Sequence, residues 1–133
     1  MRTATLTACV ALLLALPAQA QDKEPEIITR LKKAKVDGPF LLVVHIQVKK
    51  GEEKAFLEAA KPCVEATRKE KGCVAYDVHQ DSEDSTKFVF VEKWKSVKDL
   101  AAHFKEEHLQ KFVGKLPDMV DGMPKFAFYA EKK

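Results

Sequence analysis

Two histidines, His103 and His108, stand five residues apart in the charged stretch WKSVKDLAAHFKEEHLQKF, residues 94–112. Histidine titrates near neutral pH, so either side chain is a candidate general base. A metal site on one straight helix needs ligands three or four residues apart, whereas a spacing of five turns the two side chains about 140° away from each other. Because no cluster of other metal ligands accompanies the pair in the sequence, we expect acid–base chemistry and no metal site.

Other residues could support this chemistry. Glu92, if withdrawn from water, could act as the base or orient an imidazole. Trp94, together with Phe90, could hold a planar ring by stacking. Tyr76 could donate a hydrogen bond to a bound molecule.

Each of these residues also has an ordinary structural interpretation. His103 could simply pack between a helix and the sheet, and His108 could be a surface residue. Trp94, at the end of a strand, could belong to the core. His45 lies in mid-strand among apolar neighbours and therefore needs a hydrogen-bond partner or a pocket. His79 precedes a polar loop and is expected to face solvent.

The elements that must position these side chains follow from the hydrophobic periodicity. Ser96, with Asp99 three residues later, predicts a helix N-cap, and Pro117 is expected to end that helix. The predicted elements are a strand over 40–48, a helix over 52–70, strands over 73–79 and 87–94, a helix from 97 to about 116, and a strand over 125–131. This order predicts an α+β, ferredoxin-like βαββαβ fold with a four-stranded antiparallel sheet.

The strands are apolar on both faces, but two helices can cover only one side of such a sheet. The uncovered side would be a large exposed apolar patch in a monomer, so we expect a second copy to cover it. The expected assembly is a homodimer with sheet facing sheet, a dimeric α+β barrel. Because this second face is expected to carry His45, Glu92 and His79 among its apolar groups, we predict a small-molecule cavity there.

Several motifs in this order resemble the antibiotic biosynthesis monooxygenase (ABM) domain family over about residues 40–131. The motifs are Gly72-Cys73 leading into the second strand, the loop at Asp81, Glu92-x-Trp94, His103, and EEHLQKF with His108. The resemblance implies ferredoxin-like homodimers that oxidise quinols or polycyclic phenols with O₂ and without a cofactor. Some relatives instead degrade haem, and one related branch isomerises a phosphorylated sugar, so the fold alone does not define the reaction.

The resemblance places four of these residues, Glu92, Trp94, His103 and His108, in or beside the pocket. We therefore predict an exported, cofactor-independent monooxygenase that acts on a small quinol-like or phenolic aromatic compound. The predicted catalytic residues are His103, His108 and Glu92, with His103 as the base; the predicted substrate-binding residues are Trp94, His45, Tyr76 and Phe90. The alternative is a non-catalytic dimeric module that binds a small aromatic or haem-like ligand. Haem degradation is a weaker third interpretation, because the sequence contains no clear axial-ligand pattern.

The first twenty residues predict export. Arg2 precedes the apolar run ACVALLLALP, and AQA ends at Ala20, where a signal peptide would be cleaved. We therefore expect a periplasmic or secreted protein with no membrane anchor after cleavage. A lipoprotein signal ending at Cys9 is the alternative. Residues 21–38 are interpreted as a weakly structured polar leader, in which EIITRLKKAK could form a short helix with Ile27, Ile28 and Leu31 on one side. Residues 39–133 are interpreted as the domain.

Charge and cysteine content narrow the possible partners further. The formal net charge of +3 is small and evenly spread, which argues against a nucleic-acid partner. Cys63 and Cys73 could form a disulfide in an exported protein. Their predicted positions, one inside a helix and one at the start of the next strand, argue against it, because the chain must first move about 10 Å along the helix.

Overall fold

The structure, a computed structural model, describes residues 23–132. The predicted signal peptide, its cleavage site and Cys9 lie outside these residues. The helices are α1 (Glu26–Lys33), α2 (Glu53–Thr67), α3 (Val97–His103) and α4 (Glu107–Met119), and the strands are β1 (Phe40–Gln47), β2 (Cys73–Gln80), β3 (Lys87–Trp94) and β4 (Lys125–Ala130).

The four strands form one sheet in the order β2-β3-β1-β4, and all neighbouring strands are antiparallel. Helix α2 connects β1 to β2, and α3 with α4 connects β3 to β4. This arrangement confirms the predicted α+β, ferredoxin-like βαββαβ fold. The strand ends differ from the prediction by one residue or less.

Strand β3 shows how the core forms on the helix-covered side. Every second residue of this strand is buried, and the residues between them are exposed or half-buried. The buried set includes Phe88 and Phe90, which lie under the helices. The ring of Phe56 from α2 lies 4.8 Å from that of Phe88, and the ring of Phe112 from α4 lies 5.8 Å from that of Phe90. Aromatic side chains therefore join both crossover helices to the central strand.

Helix α1 confirms the short helix that the segment EIITRLKKAK allows, and it corrects the expectation that residues 21–38 are weakly structured. Ile27, Ile28 and Leu31 fall on one helix face and are buried in the main core. On the same helix, the Arg30 guanidinium lies 5.4 Å from the ring centre of Phe128 in β4. The sequence shows the apolar stripe, but the surface that buries it exists only after the sheet has formed.

The helix predicted over residues 97–116 is wrong in two respects. The chain leaves the helical ladder after His103 and begins a new helix at Glu107. Helix α4 also continues past Pro117 to Met119, because a proline in the last turns removes only one donor from the ladder. The N-cap is confirmed: the Asp99 backbone N–H donates to Ser96 Oγ over 3.2 Å.

The face of the sheet away from the helices is open. Leu41 and Tyr129, which pair across β1 and β4, are 38% and 58% exposed, and Val43 and Val91 are half-buried. Among the described residues, no helix combines the length and the apolar character needed to cross a bilayer. Both cysteines within this part of the chain are free.

Candidate functional site

The two histidines of the opening stretch meet at one carboxylate, that of Glu70. Glu70 Oε1 lies 2.7 Å from His103 Nδ1 and 2.6 Å from His108 Nε2. We call these three residues the Glu70 cluster. An ionised carboxylate only accepts hydrogen bonds, so each histidine presents an N–H to it. The expectation that the two histidines point apart is wrong, because the chain breaks its helix between them.

Close backbone packing brings Glu70 to the histidines. Glu70 lies in the turn between α2 and β2, and Gly72 in that turn faces Asp99 in the first turn of α3. A Cβ atom on Gly72 would lie 2.1 Å from Asp99 Cβ, so only glycine permits this approach. The Lys95 N–H also donates to the Gly72 carbonyl over 2.9 Å, which fixes the start of α3 against the turn.

The members of the Glu70 cluster differ in their access to solvent. The side chain of His103 is 3% exposed, whereas those of Glu70 and His108 are 15% and 21% exposed. Burial lowers the pKa of His103, although its hydrogen bond to Glu70 acts in the opposite direction. His103 is thus kept neutral inside the protein, and His108 is the histidine that reaches the surface.

Glu92 and Trp94 form a separate buried pair. Trp94 Nε1 donates to Glu92 Oε2 over 2.8 Å, and both residues are buried. Burial raises the pKa of Glu92 to about 8; the Trp94 hydrogen bond lowers it and the charge of Glu70 raises it further. Glu92 is therefore predominantly a neutral carboxylic acid at pH 7, which makes it a poor base but a possible hydrogen-bond donor.

Tyr76 and Phe90 complete an aromatic layer behind His103. The Tyr76 ring lies 5.5 Å from the rings of both Phe90 and His103, and the Trp94 ring lies 4.8 Å from that of His103. Burial raises the pKa of Tyr76 well above its usual value, with the Glu92 carboxyl adding to the rise. These rings surround His103 with apolar material and exclude water from it.

A cleft of about 490 Å³ opens between α2 and α4 beside the Glu70 cluster. His108 lines it together with Cys63, Phe112, Lys111 and Lys115. Trp94, Tyr76 and Phe90 do not line this cleft, because they lie deeper, against the sheet. Phe112 is the aromatic ring that a molecule in the cleft would contact.

The structure separates His45 from the other candidate residues. In the register of β1 and β3, Glu92 pairs with Leu42 on the helix-covered side, whereas His45 pairs with Val89 on the open side. His45 and His79 line a different depression of about 750 Å³ at one end of the open face. The expectation that one face carries both His45 and Glu92 is therefore wrong. Glu92 lies opposite Leu42, three residues before His45 on β1, and side chains an odd number of positions apart on a strand point to opposite faces.

Glu70 is the site residue that sequence reasoning missed. It follows Lys69 and precedes Lys71 at the end of a helix, where a charged residue normally faces solvent. The one available signal was the Gly72-Cys73 motif two residues later, which marks a tight approach to another element. Without knowledge of which element approaches, that signal does not identify a partner for the histidines.

Comparison with known proteins identifies related chains. A sequence model described as antibiotic biosynthesis monooxygenase matches residues 39–115. The Synechocystis sp. protein sll1783, described as uncharacterised, is 30% identical over 84 residues; the match covers 63% of this chain and 57% of that protein. The present chain therefore spans little more than half of this relative's length.

This chain matches most of the length of two further relatives. The YcnE protein of Bacillus subtilis (strain 168), described as a candidate monooxygenase, is 33% identical over 76 residues, which cover 57% of this chain and 80% of that protein. A solved structure from Nitrosomonas europaea, described as a candidate antibiotic biosynthesis monooxygenase, superposes with a TM-score of 0.69 at 29% identity. The superposition covers 71% of this chain and 92% of the Nitrosomonas europaea chain.

Proposed function

Because the chain belongs to the antibiotic biosynthesis monooxygenase family, we propose that it oxidises a small phenolic or quinol-like compound with O₂ and without a cofactor. The observation that carries this proposal is the position of His108. Its side chain lines the cleft, and its Nε2 is hydrogen-bonded to Glu70 Oε1. Similarity to proteins described as candidate monooxygenases supports the same reaction class.

The hydrogen bond to Glu70 suits His108 for proton abstraction. When His108 Nε2–H donates to Glu70 Oε1, the lone pair of the neutral ring is on Nδ1. This nitrogen can accept the proton of a phenol, and the Glu70 carboxylate stabilises the imidazolium that forms. His103 donates to the same oxygen and so helps to hold Glu70 in place.

The substrate supplies all the electrons for this oxidation. The phenolate passes an electron to O₂, the two radicals combine at a ring carbon, and the resulting hydroperoxide loses water. For a phenol with a free para C–H, one oxygen atom enters the ring to give a quinone, and the other leaves as water. The balance of phenol plus O₂ giving quinone plus water needs no external reductant.

The cleft offers the remaining contacts. Phe112 can pack against an aromatic ring, and the ammonium group of Lys115 can attract a phenolate. Lys111 pairs with Glu107 over 2.7 Å, and Glu106 and Glu107 also line the cleft. The Glu92–Trp94 pair and Tyr76 act indirectly, because they fix the aromatic layer against which His103 packs. The sequence predicts His103 as the base, but we assign it a positioning role because its side chain is buried.

The assembly and location remain part of the proposal. A second copy packed on the open face would cover the apolar side chains of Leu41, Val43, Val91 and Tyr129. The signal peptide expected over residues 1–20 would place the protein in the periplasm or outside the cell. The substrate would then be a phenolic compound met outside the cytoplasm.

Oxygen uptake by the untagged protein tests the function. The protein is treated with a chelator and assayed with a panel of quinols and polycyclic phenols, beside His108→Ala and, as matched control, His79→Ala. We expect His108→Ala to lower kcat/KM about 100-fold or more, and His79→Ala to leave it unchanged. Glu70→Gln should give an intermediate loss, since it keeps the acceptor oxygen without the charge.

Two results would contradict the proposal. Uptake that His108→Ala fails to reduce would show that the base lies elsewhere. The absence of uptake above the uncatalysed rate, with phenols still bound, would identify the protein as a binding module for small aromatic compounds.

A further inference from the structure

The three facing atoms of the Glu70 cluster also form a possible metal-ligand set. Glu70 Oε1, His103 Nδ1 and His108 Nε2 all lie within 4.8 Å of one another, and each histidine nitrogen is within 2.7 Å of the oxygen. We propose that these atoms bind one divalent transition-metal ion of the Zn²⁺ type.

Ion binding requires the cluster to rearrange. Zinc binds imidazole nitrogen and carboxylate oxygen at about 2.0–2.2 Å. Ligand atoms around such an ion are roughly 3.0–3.5 Å apart, by the geometry of those bond lengths at octahedral to tetrahedral angles. The oxygen–nitrogen distances of 2.6 and 2.7 Å must therefore open by less than about 1 Å. The three atoms span up to 4.8 Å, so the two imidazole nitrogens must also approach each other by roughly 1–2 Å, which requires the partly exposed His108 to turn toward His103.

The fold positions the ligands from three separate elements. Glu70 comes from the turn after α2, His103 is the last residue of α3, and His108 is the second residue of α4. The close approach at Gly72 and the N-cap at Ser96 fix the first two relative to each other. Ligands held in this way lose little conformational freedom when an ion binds.

The surroundings suit a partly accessible ion. Glu70 and His108 are partly exposed, which gives an ion a route from solvent, while His103 lies against the rings of Trp94 and Tyr76. Three protein ligands leave at least one coordination position open for water. The cleft lined by His108 lies on the accessible side.

The chemistry of the donors selects the class of ion. Two imidazole nitrogens with one carboxylate oxygen favour borderline ions such as Zn²⁺ or Co²⁺. Mg²⁺ and Ca²⁺ prefer sites built from oxygen alone. We therefore expect Zn²⁺ and Co²⁺ to bind and Mg²⁺ not to compete.

This inference involves the same residues as the proposed oxidation, but it can be tested independently of it. An ion on His108 Nε2 moves the proton of the neutral ring to Nδ1, the atom that the oxidation needs free. Metal binding and cofactor-free oxidation therefore exclude each other on one chain. Binding is measured without substrate, and oxygen uptake is measured with chelator, so either proposal can fail alone.

Cobalt and zinc titrations of the chelator-treated, untagged protein test the site. Visible absorption reports Co²⁺ coordination, and calorimetry gives the stoichiometry and affinity for Zn²⁺. We expect one ion per chain in the wild type and in His79→Ala, with binding weakened at least tenfold in His108→Ala and Glu70→Gln. His108 is used for the histidine variant because it is partly exposed, whereas removing the buried His103 could unfold the protein.

The same experiment can overturn the inference. Equal affinity in the wild type and in a folded His108→Ala variant, verified by circular dichroism, would place the ion elsewhere. Weakening by His79→Ala would indicate binding by surface histidines on the open face. Failure of Zn²⁺ to bind the wild type more tightly than about 1 mM, or equal competition by Mg²⁺, would show that the cluster is held by hydrogen bonds alone.

Discussion

Histidines lie on both sides of the sheet, but their surroundings differ. On the helix-covered side, His103 and His108 share Glu70 Oε1. On the open side, His45 and His79 both pair with Val89, one from each neighbouring strand, and so stand about 10 Å apart across β3. The covered pair meets because the turn after α2 supplies a carboxylate between two helix ends. On the open side, regular pleating holds the two rings apart.

The same contrast extends to packing. Buried aromatic side chains and hydrogen-bonded polar groups fill the covered side, whereas the open side presents the exposed Leu41 and Tyr129 and the half-buried Val43 and Val91. The covered side therefore carries the stability of the folded chain, and the open side is available for a partner. The following experiments test this division, from the largest expected effect to the smallest.

Truncation of Phe90 should have the largest effect. Phe90 is 2% exposed and packs against Phe56, Tyr76 and Phe112, so Phe90→Ala should lower the free energy of unfolding by about 3–5 kcal/mol. The control is Lys93→Ala on the opposite face of the same strand, where loss of an exposed ion pair with Glu131 should cost at most about 1 kcal/mol. Urea denaturation followed by Trp94 fluorescence measures both, and equal losses would contradict the division.

The buried Glu92 should make stability depend on pH. Because burial raises its pKa from 4.5 to about 8, its contribution is complete below pH 4.5 and is lost as pH rises through 8. We expect a loss on the order of 4 kcal/mol between pH 5 and pH 9, based on the size of the shift. Glu92→Gln keeps an acceptor for Trp94 Nε1 and should remove most of this dependence in denaturation curves.

An identical pH profile in the wild type and in Glu92→Gln would show that another group is responsible. Glu65→Gln, an exposed change on α2, serves as the matched control and should leave the wild-type profile intact.

Gly72→Ala tests how the Glu70 cluster is assembled. The added Cβ would meet Asp99, so we expect a loss of about 1–3 kcal/mol in stability and weaker coupling between Glu70 and the histidines. Gly114→Ala is the control: Gly114 lies in α4 with nothing within 4 Å of an added Cβ, and alanine should stabilise that helix by about 0.5–1 kcal/mol. Thermal unfolding measures both; a stabilising Gly72→Ala would show that the approach is not tight.

A charge on the open face should affect association and leave the fold intact. Val43 lies between Val91 and Ala127 in the sheet, so Val43→Asp should weaken the proposed dimer at least tenfold, with Val43→Thr as the milder control. Sedimentation measures the association, and circular dichroism checks the fold. A monomeric wild type, or a Val43→Asp dimer of unchanged affinity, would remove the open face as the dimer surface.

The sequence by itself determined the four strands, helix α2 and the topology. Alternation in the strands and the apolar stripe of α2 are local patterns, and the order of elements leaves the ferredoxin-like arrangement as the simple solution. The N-cap at Ser96 was readable for the same reason, because its hydrogen bond joins residues three apart. Both His103 and His108 were also recognised as candidates from residue type alone.

Only the tertiary structure decided which of these groups meet. The break between α3 and α4 falls in FKE, residues 104–106, where no glycine or proline marks it, and it turns two diverging histidines toward one carboxylate. Glu70 lies 33 residues from His103 and 38 from His108 along the chain, so no local pattern links them. Which face the helices cover likewise depends on how the strands pair, and that register placed Glu92 under the helices and left His45 on the open side. Contacts between distant segments depend on the geometry of the folded chain, whereas periodicity reports only neighbours on one element.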